Sequence, residues 1–147
     1  MPSDNASVAL LSGHYVLLVI LKSGEYSLPG GGRNPGEKDW DAMSREWREE
    51  TGMRRPTRDQ ADLSNKYKWE YRYRTSHGTI KTSITKIYYG QTRRPFTWYS
   101  FNRDGCLSTG ETSDLLWMKV SDAIKDPRVK SYCRKSLKEM KDRGCFR

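Results

Sequence analysis

The stretch from Leu28 to Met53, LPGGGRNPGEKDWDAMSREWREETGM, constrains the chain more than any other. Three consecutive glycines follow a short apolar segment, and a helix-forming run then stops at Gly52. That order calls for a strand that passes into a Gly loop and then into a helix. The predicted helix covers Asp39–Thr51, with Gly52 in the position where a left-handed cap is usual. At about 100° per residue, Trp40, Met43 and Trp47 fall within about 60° of one another and form the expected core stripe. Glu46, Glu49 and Glu50 cluster roughly 100° away, as neighbours at i, i+3 and i+4. Arg45 can pair with Glu49, and Glu37 precedes the helix near its positive end.

A single arginine cannot neutralise three adjacent carboxylates, so the cluster should weaken the helix that carries it. A solvated acidic face laced to Lys and Arg elsewhere is one way out. A divalent cation is the other. Oxygen donors with room for water and phosphate suit magnesium, or manganese, better than zinc. No His or Cys stands nearby to complete a zinc set, and the spacing does not fit a calcium loop.

The remaining elements follow from periodicity. His14–Gly24 reads as a buried strand, and the segment EYSLPGG as a short second strand entering the Gly loop. In KYKWEYRYRT, Tyr67, Trp69, Tyr71 and Tyr73 alternate with charged residues, so one aromatic face should be buried and one charged face exposed. SHG at Ser76–Gly78 reads as a hairpin turn, and TIKTSITKIYYGQT as the returning strand. FTWYSF and LLWMKV are further strands. A closing helix is expected from Asp126 as N-cap, with Pro127 in its first position. Strands, helix, strands, helix make an α/β fold with a mixed sheet and helices packed on it.

The chain has 147 residues and a formal charge of +9, which suits one domain over residues 1–147 and attraction to polyanions. A basic, solvated face on the closing helix would account for part of that charge. The longest apolar run, Tyr15–Leu21, is too short for a membrane span. The start lacks a basic region followed by a long apolar stretch, so no signal peptide is expected. Three cysteines, an odd number without C-x-x-C spacing, suggest free thiols in a reducing, cytoplasmic setting.

Gly31, Glu37 after five residues, Arg45 after seven more, then Glu46, Trp47, Glu49, Glu50, Gly52 and Met53 resemble the Nudix box, G-x5-E-x7-R-E-U-x-E-E-x-G-U. Every charged and Gly position agrees. Trp47 and Met53 depart from the bulky aliphatic U positions, but both stay apolar. On this ground the chain is identified as a member of the MutT-like Nudix hydrolases. The resemblance implies a Nudix-type α/β/α sandwich and magnesium-dependent cleavage of a pyrophosphate bond. It also implies Glu46, Glu49 and Glu50 as metal ligands, with Gly30 and Gly31 letting the backbone approach the metal. Arg45 and Glu37 would support that set. Catalysis would be attack of an activated water on phosphorus, with Glu46 as the general base. Glu111, with Asp114 near it, is the alternative carboxylate from a distant loop.

The triple glycine and the chain's ending also resemble the branch that cleaves diphosphoinositol polyphosphates and dinucleoside polyphosphates, some members of which remove the mRNA cap. The substrate classes implied are therefore polyphosphorylated small molecules or capped RNA. A pyrophosphohydrolase for damaged nucleoside triphosphates, and a non-catalytic module that binds RNA or nucleotides, are the alternatives. Arg33, beside the Gly loop, is the first choice for a phosphate contact, with Arg72 and Arg74 on the charged strand face. Trp69, Tyr71 or Trp98 can stack on a base, although a core-facing aromatic row explains the alternating set as well. His77 reads as an ordinary surface residue. The sequence predicts no oligomeric state.

Overall fold

The computed structural model describes residues 3–93 and 112–146. Ala6, Val8, Ala9, Leu10 and Leu11 are all buried, on both faces of strand β1 (Ser3–Ser12). A strand buried on both faces must lie in the middle of a sheet covered on both sides. β1 does so, although sequence periodicity does not reveal it, because Asn5 and Ser7 interrupt its apolar run. It pairs in parallel with β6 (Ile80–Gln91), from Ser3 opposite Ser83 to Leu11 opposite Gln91. All other pairings among the named strands are antiparallel. β2 (Tyr15–Leu21) meets the end of β1 and runs beside β7 (Thr112–Lys119). β3 (Tyr26–Ser27) pairs with β2, and β4 (Gly30–Gly32) with the first half of β1. β5 (Asn65–Arg74) pairs with β6 through the expected turn, closed by the Gly78 N–H on the Thr75 carbonyl at 2.9 Å. The strand order along the main path is β3-β2-β1-β6-β5. The expected FTWYSF strand, Trp98 and Glu111 lie outside the described residues.

Two apolar layers sandwich the sheet. On one side, α1 (Asp39–Thr51) buries Ala42, Met43 and Trp47 against Ala6, Val8, Leu10 and Leu17. It ends as expected at Gly52, with φ 69° and its N–H on the Arg48 carbonyl at 2.8 Å. Trp47 finds the room its size demands among Ala6, Ala42 and Ala61, and its indole N–H donates to the Arg54 carbonyl at 3.0 Å. Trp40 departs from the expected core stripe. It sits in the first turn, 37% exposed, edge-on to Tyr88 and beneath the Arg55 guanidinium.

On the other side, α3 (Ser131–Asp142) buries Cys133, Leu137 and Met140 with Ala9, Leu11, Leu28, Trp69 and Ile87. It starts later than the sequence suggests. Asp126 instead accepts the Arg128 N–H at 2.8 Å, and Val129 pairs with Tyr26. The tie of Val129 to β3 holds that segment extended, so the helix cannot begin before Ser131. A short α2 (Val120–Ala123) follows β7. The result is an α/β/α sandwich with a mixed central sheet. No helix among the described residues is long and apolar enough to cross a membrane.

β5 also departs from expectation in part. Trp69 is buried and Tyr67 half-buried, but Tyr71 and Tyr73 are exposed. β5 is the last strand on its side of the sheet, and its second half runs past the helix that covers the first.

Candidate active site

Gly30 brings β4 against β1, and Gly31 brings it against α1, more closely than any larger residue allows. A Cβ on Gly30 would lie 2.5 Å from the Ala6 carbonyl oxygen and would also strike Ser7. One on Gly31 would lie 2.6 Å from the Glu46 carboxylate. The loop therefore fits flush against the carboxylate side of α1. Glu50 accepts the Gly30 N–H at 2.7 Å, which binds helix to loop. Glu46 and Glu50 are both buried.

Arg45 organises the acids. Its guanidinium donates to both oxygens of Glu37 at 3.0 Å, to Glu46 at 2.9 Å, to Glu49 at 3.3 Å and to the Gly32 carbonyl at 2.8 Å. These hydrogen bonds, Glu37 foremost, push the Arg45 pKa further up and keep it charged. The same Arg45 contact, with the Asn34 N–H, holds the Glu37 carboxyl below its usual range. Glu37 thus acts as a brace between loop and helix, and Glu49 is tethered beside Glu46 by one nitrogen.

Glu46, Glu50 and Gly30–Gly32 form one wall of a cleft of about 780 Å³. Its floor is the sheet face that carries Asn5, Ser7, Ser83 and Thr85. Along the same face the next alternate residues, Ala9, Leu11 and Ile87, are core beneath α3. The face turns from apolar to polar where the helix stops covering it. Tyr71, Tyr132, Lys22 and Lys130 also line it, with Leu21, Ser23 and Ser27. The Ser27 hydroxyl donates to the Leu28 carbonyl at 3.0 Å, so the Tyr132 phenol, 3.1 Å away, donates to Ser27. Burial pushes the Tyr132 pKa well up and keeps that proton in place.

Several residues expected at the substrate are elsewhere. Arg33 donates to Asp4 at 2.6 Å and to the Glu37 carbonyl at 2.8 Å, with Asp39 at 3.6 Å, so its charge is committed to the fold. Arg72 and Arg74 alternate with Tyr71 and Tyr73, which puts them on the opposite face of the sheet from the cleft. Lys66, of the same parity, lies over the Tyr88 ring on the α1 side. Trp69 is 5% exposed and packs in the core, leaving Tyr71 as the aromatic of that row on the cleft. Asp114 is exposed at the start of β7, and its Oδ1 accepts the Leu115 N–H at 2.8 Å. Sequence reasoning missed Lys22, Lys130 and the polar floor. The signal for the floor was there, as Asn5/Ser7 and Ser83/Thr85 at alternate positions of otherwise apolar strands.

The donor set suits a hard cation. The wall presents carboxylate oxygens and glycine backbone, and Gly31 leaves the Glu46 carboxylate uncovered where a Cβ would stand. Among the described residues no group of three His, Cys, Asp or Glu side chains converges on a metal position; Glu46 and Glu49 turn to Arg45, and Glu50 to Gly30.

Comparison with solved structures gives the same architecture. A NUDIX hydrolase from Nitrosomonas europaea matches with a TM-score of 0.67 and 23% identity, covering 98% of this chain and 90% of that one. The MutT protein from Methanosarcina mazei Go1 matches at 0.64 and 18% identity, over 97% and 95%. A C. elegans Ap4A hydrolase in a binary complex matches at 0.60 and 17% identity, over 95% and 96%. Against curated proteins the sequence finds no significant match. The model of the NUDIX domain matches residues 1–140, nearly the whole chain, and with Gly31, Glu37, Arg45, Glu46, Glu49 and Glu50 brought together as described, the protein belongs to the Nudix family of pyrophosphohydrolases.

Proposed function

We propose that this pyrophosphohydrolase cleaves a phosphoanhydride bond in a highly phosphorylated nucleotide-type substrate, with magnesium, or manganese in its place, held by Glu46, Glu49 and Glu50. The observation that carries this reading is the packing of Gly30 and Gly31 against the buried Glu46 and Glu50 on one wall of the cleft. When bound, the cation would supply charge neutralisation at the diphosphate and a more acidic water. The chain's own residues do the rest. Glu46, facing the cleft, takes the proton of the attacking water, and Glu111 is the second candidate for that role. Arg45 is a positioning residue: it holds Glu46 and Glu49 side by side through one nitrogen and anchors both to Glu37. The Gly30 N–H fixes the Glu50 carboxylate, and Tyr132 with Ser27 braces the strand that leads into the loop.

Among substrates, a dinucleoside polyphosphate is favoured. The cleft is lined by lysines and a tyrosine as well as by the carboxylates, and the C. elegans neighbour is described as an Ap4A hydrolase. Capped RNA is the second reading. The exposed face of β5, with Lys66, Lys68, Arg72 and Arg74, would meet an RNA backbone outside the cleft rather than the phosphates within it. A reducing, cytoplasmic setting suits the free Cys133 and Cys145.

A product-analysed panel tests this: dinucleoside polyphosphates, nucleoside triphosphates, a diphosphoinositol polyphosphate and a capped RNA, each with and without magnesium. Magnesium-dependent release of nucleotide products is expected. Binding without turnover on every member would establish a non-catalytic module instead.

A further inference from the structure

β5 is the outermost strand on its side of the sheet, and among the described strands it pairs only with β6. An outermost strand carries a row of backbone N–H and C=O groups with no ladder to join. Folds blunt such an edge by brevity, proline, a bulge or charge. Of these β5 has only charge. It is ten residues long, contains neither Pro nor Gly, and keeps one register from Asn65 opposite Tyr89 to Arg74 opposite Ile80.

The outer half of the strand has the least support. Among the described residues β1 reaches only to Ser3, opposite Ser83, so Arg72–Arg74 and Ile80–Thr82 continue beyond it as a two-stranded ribbon. Every residue from Glu70 to Arg74 is exposed, and Ile80 is 61% exposed. A two-stranded ribbon is marginal in water and is stabilised by a third strand.

The side chains select which strand fits. Alternation puts Lys66, Lys68, Glu70, Arg72 and Arg74 on one face, and Tyr67, Trp69, Tyr71 and Tyr73 on the other. Lys68 is paired with Glu70 at 2.9 Å, whereas among the described residues Arg72 and Arg74 have no ion-pair partner. An added strand lies about 4.8 Å away, and its own same-face side chains repeat about every 6.8 Å, as Arg72 and Arg74 do. Acids at alternate positions of that strand come to lie beside the two arginines. The residues between them pack along the stacked Tyr71 and Tyr73 rings.

We propose that β5 is a docking edge for an extended acidic segment of a partner protein, which joins the sheet as an added strand with its acids on Arg72 and Arg74 and its apolar residues on the Tyr71–Tyr73 side. Neither the carboxylates of α1 nor a metal takes part. A second copy of β5 fits poorly: antiparallel pairing about a two-fold at Glu70, which uses the whole strand, sets Lys66 against Arg74 and Lys68 against Arg72. Nucleic acid also fits less well, because Glu70 interrupts the row of cations and phosphates leave the strand's backbone groups without a ladder.

The probe is a capped synthetic peptide, as long as β5, that alternates Glu with Val. Its controls are a peptide of the same composition with the Glu and Val residues in separate blocks, the alternating Lys–Val peptide, and an oligouridylate. Binding to the full chain is followed by fluorescence anisotropy, and backbone amides by hydrogen exchange. The alternating acidic peptide should bind saturably, at least about tenfold more tightly than the block peptide. Arg72→Glu and Arg74→Glu should each weaken it about tenfold, as for loss of one charged contact, and should gain the Lys–Val peptide instead. Lys138→Glu, exposed on α3, should do neither. Amides of β5 should exchange more slowly in the complex at every second residue, which an ionic contact alone does not produce. No saturation below about 1 mM, equal binding of the block peptide, or a complex without protection of β5 would overturn the docking edge. So would oligouridylate that binds more tightly than the peptide and is lost with the same arginine swaps, which would make this a nucleic-acid surface. A dimer in sedimentation that the peptide does not dissociate would assign the edge to a second copy and overturn it equally.

Discussion

Two adjacent glycines do different jobs, and substitution should show it. At Gly30 an added Cβ meets backbone, the Ala6 carbonyl oxygen at 2.5 Å, which cannot move without opening the β1–β4 pair. Gly30→Ala should therefore lower the melting temperature by several degrees, an effect on the order of 1–3 kcal/mol. At Gly31 the Cβ meets only the end of the Glu46 side chain, which can swing aside. Gly31→Ala should fold almost normally and lose at least about tenfold in kcat, because the carboxylate is displaced from its position. Thermal melts and steady-state kinetics on the pair check this, and equal melting temperatures would contradict the close approach of β4 to β1. Glu49→Gln tests the acids themselves: it keeps size and helix propensity but removes the charge, so most turnover should vanish with the circular dichroism spectrum unchanged. Full activity in that variant would remove Glu49 from the metal set.

At the scale of the element, α1 is held by an apolar face and by a charged one. Trp47 is fully buried among small side chains, and Trp47→Ala should cost about 3–5 kcal/mol by leaving a cavity the alanines cannot fill. The charged face works through pH. Glu37 has its pKa held down in the folded chain by Arg45, while the unfolded chain titrates near 4.3. Its contribution to stability is therefore complete above about pH 4.3 and lost as pH falls through the lower folded value. Wild type should lose more stability between pH 5 and 3 than Glu37→Gln does, in urea titrations followed by tryptophan fluorescence. Parallel curves for the two would mean that the Glu37–Arg45 pair contributes nothing measurable. The same element shows how periodicity misleads at an end. Trp40 lies on the apolar stripe by angle, yet the first turn of α1 projects past the core, so its ring covers Tyr88 and carries Arg55 instead.

For the whole molecule, a bound cation is a test of assembly, because the ligands proposed for it come from one helix while the loop packed against them comes from another part of the chain. A cation that binds only the folded form adds about 2.7 kcal/mol at a hundred times its dissociation constant. Magnesium should raise the melting temperature by several degrees in wild type and much less in Glu50→Gln, in calorimetric scans at matched ionic strength. An equal rise in both would assign the effect to salt. The sequence alone determined the strand–Gly loop–helix unit, its C-terminal cap and the crowding of Glu46, Glu49 and Glu50, since these depend on local conformation and on spacing along one helix. The Nudix box that names the family is legible for the same reason. Contacts between residues far apart in sequence were decided only by the tertiary structure. Ser7 beside Gly30, Asn5 level with Thr85 and Val129 bridged to Tyr26 are pairings that no local pattern specifies. Those pairings committed Arg33 to Asp4, turned Arg72 and Arg74 away from the cleft, buried Trp69 and brought Lys22 and Lys130 to the cleft. Alternation along a strand sets which residues share a face, but only the packing of helices on the sheet decides which stretch of that face is covered as core and which is left open to a ligand.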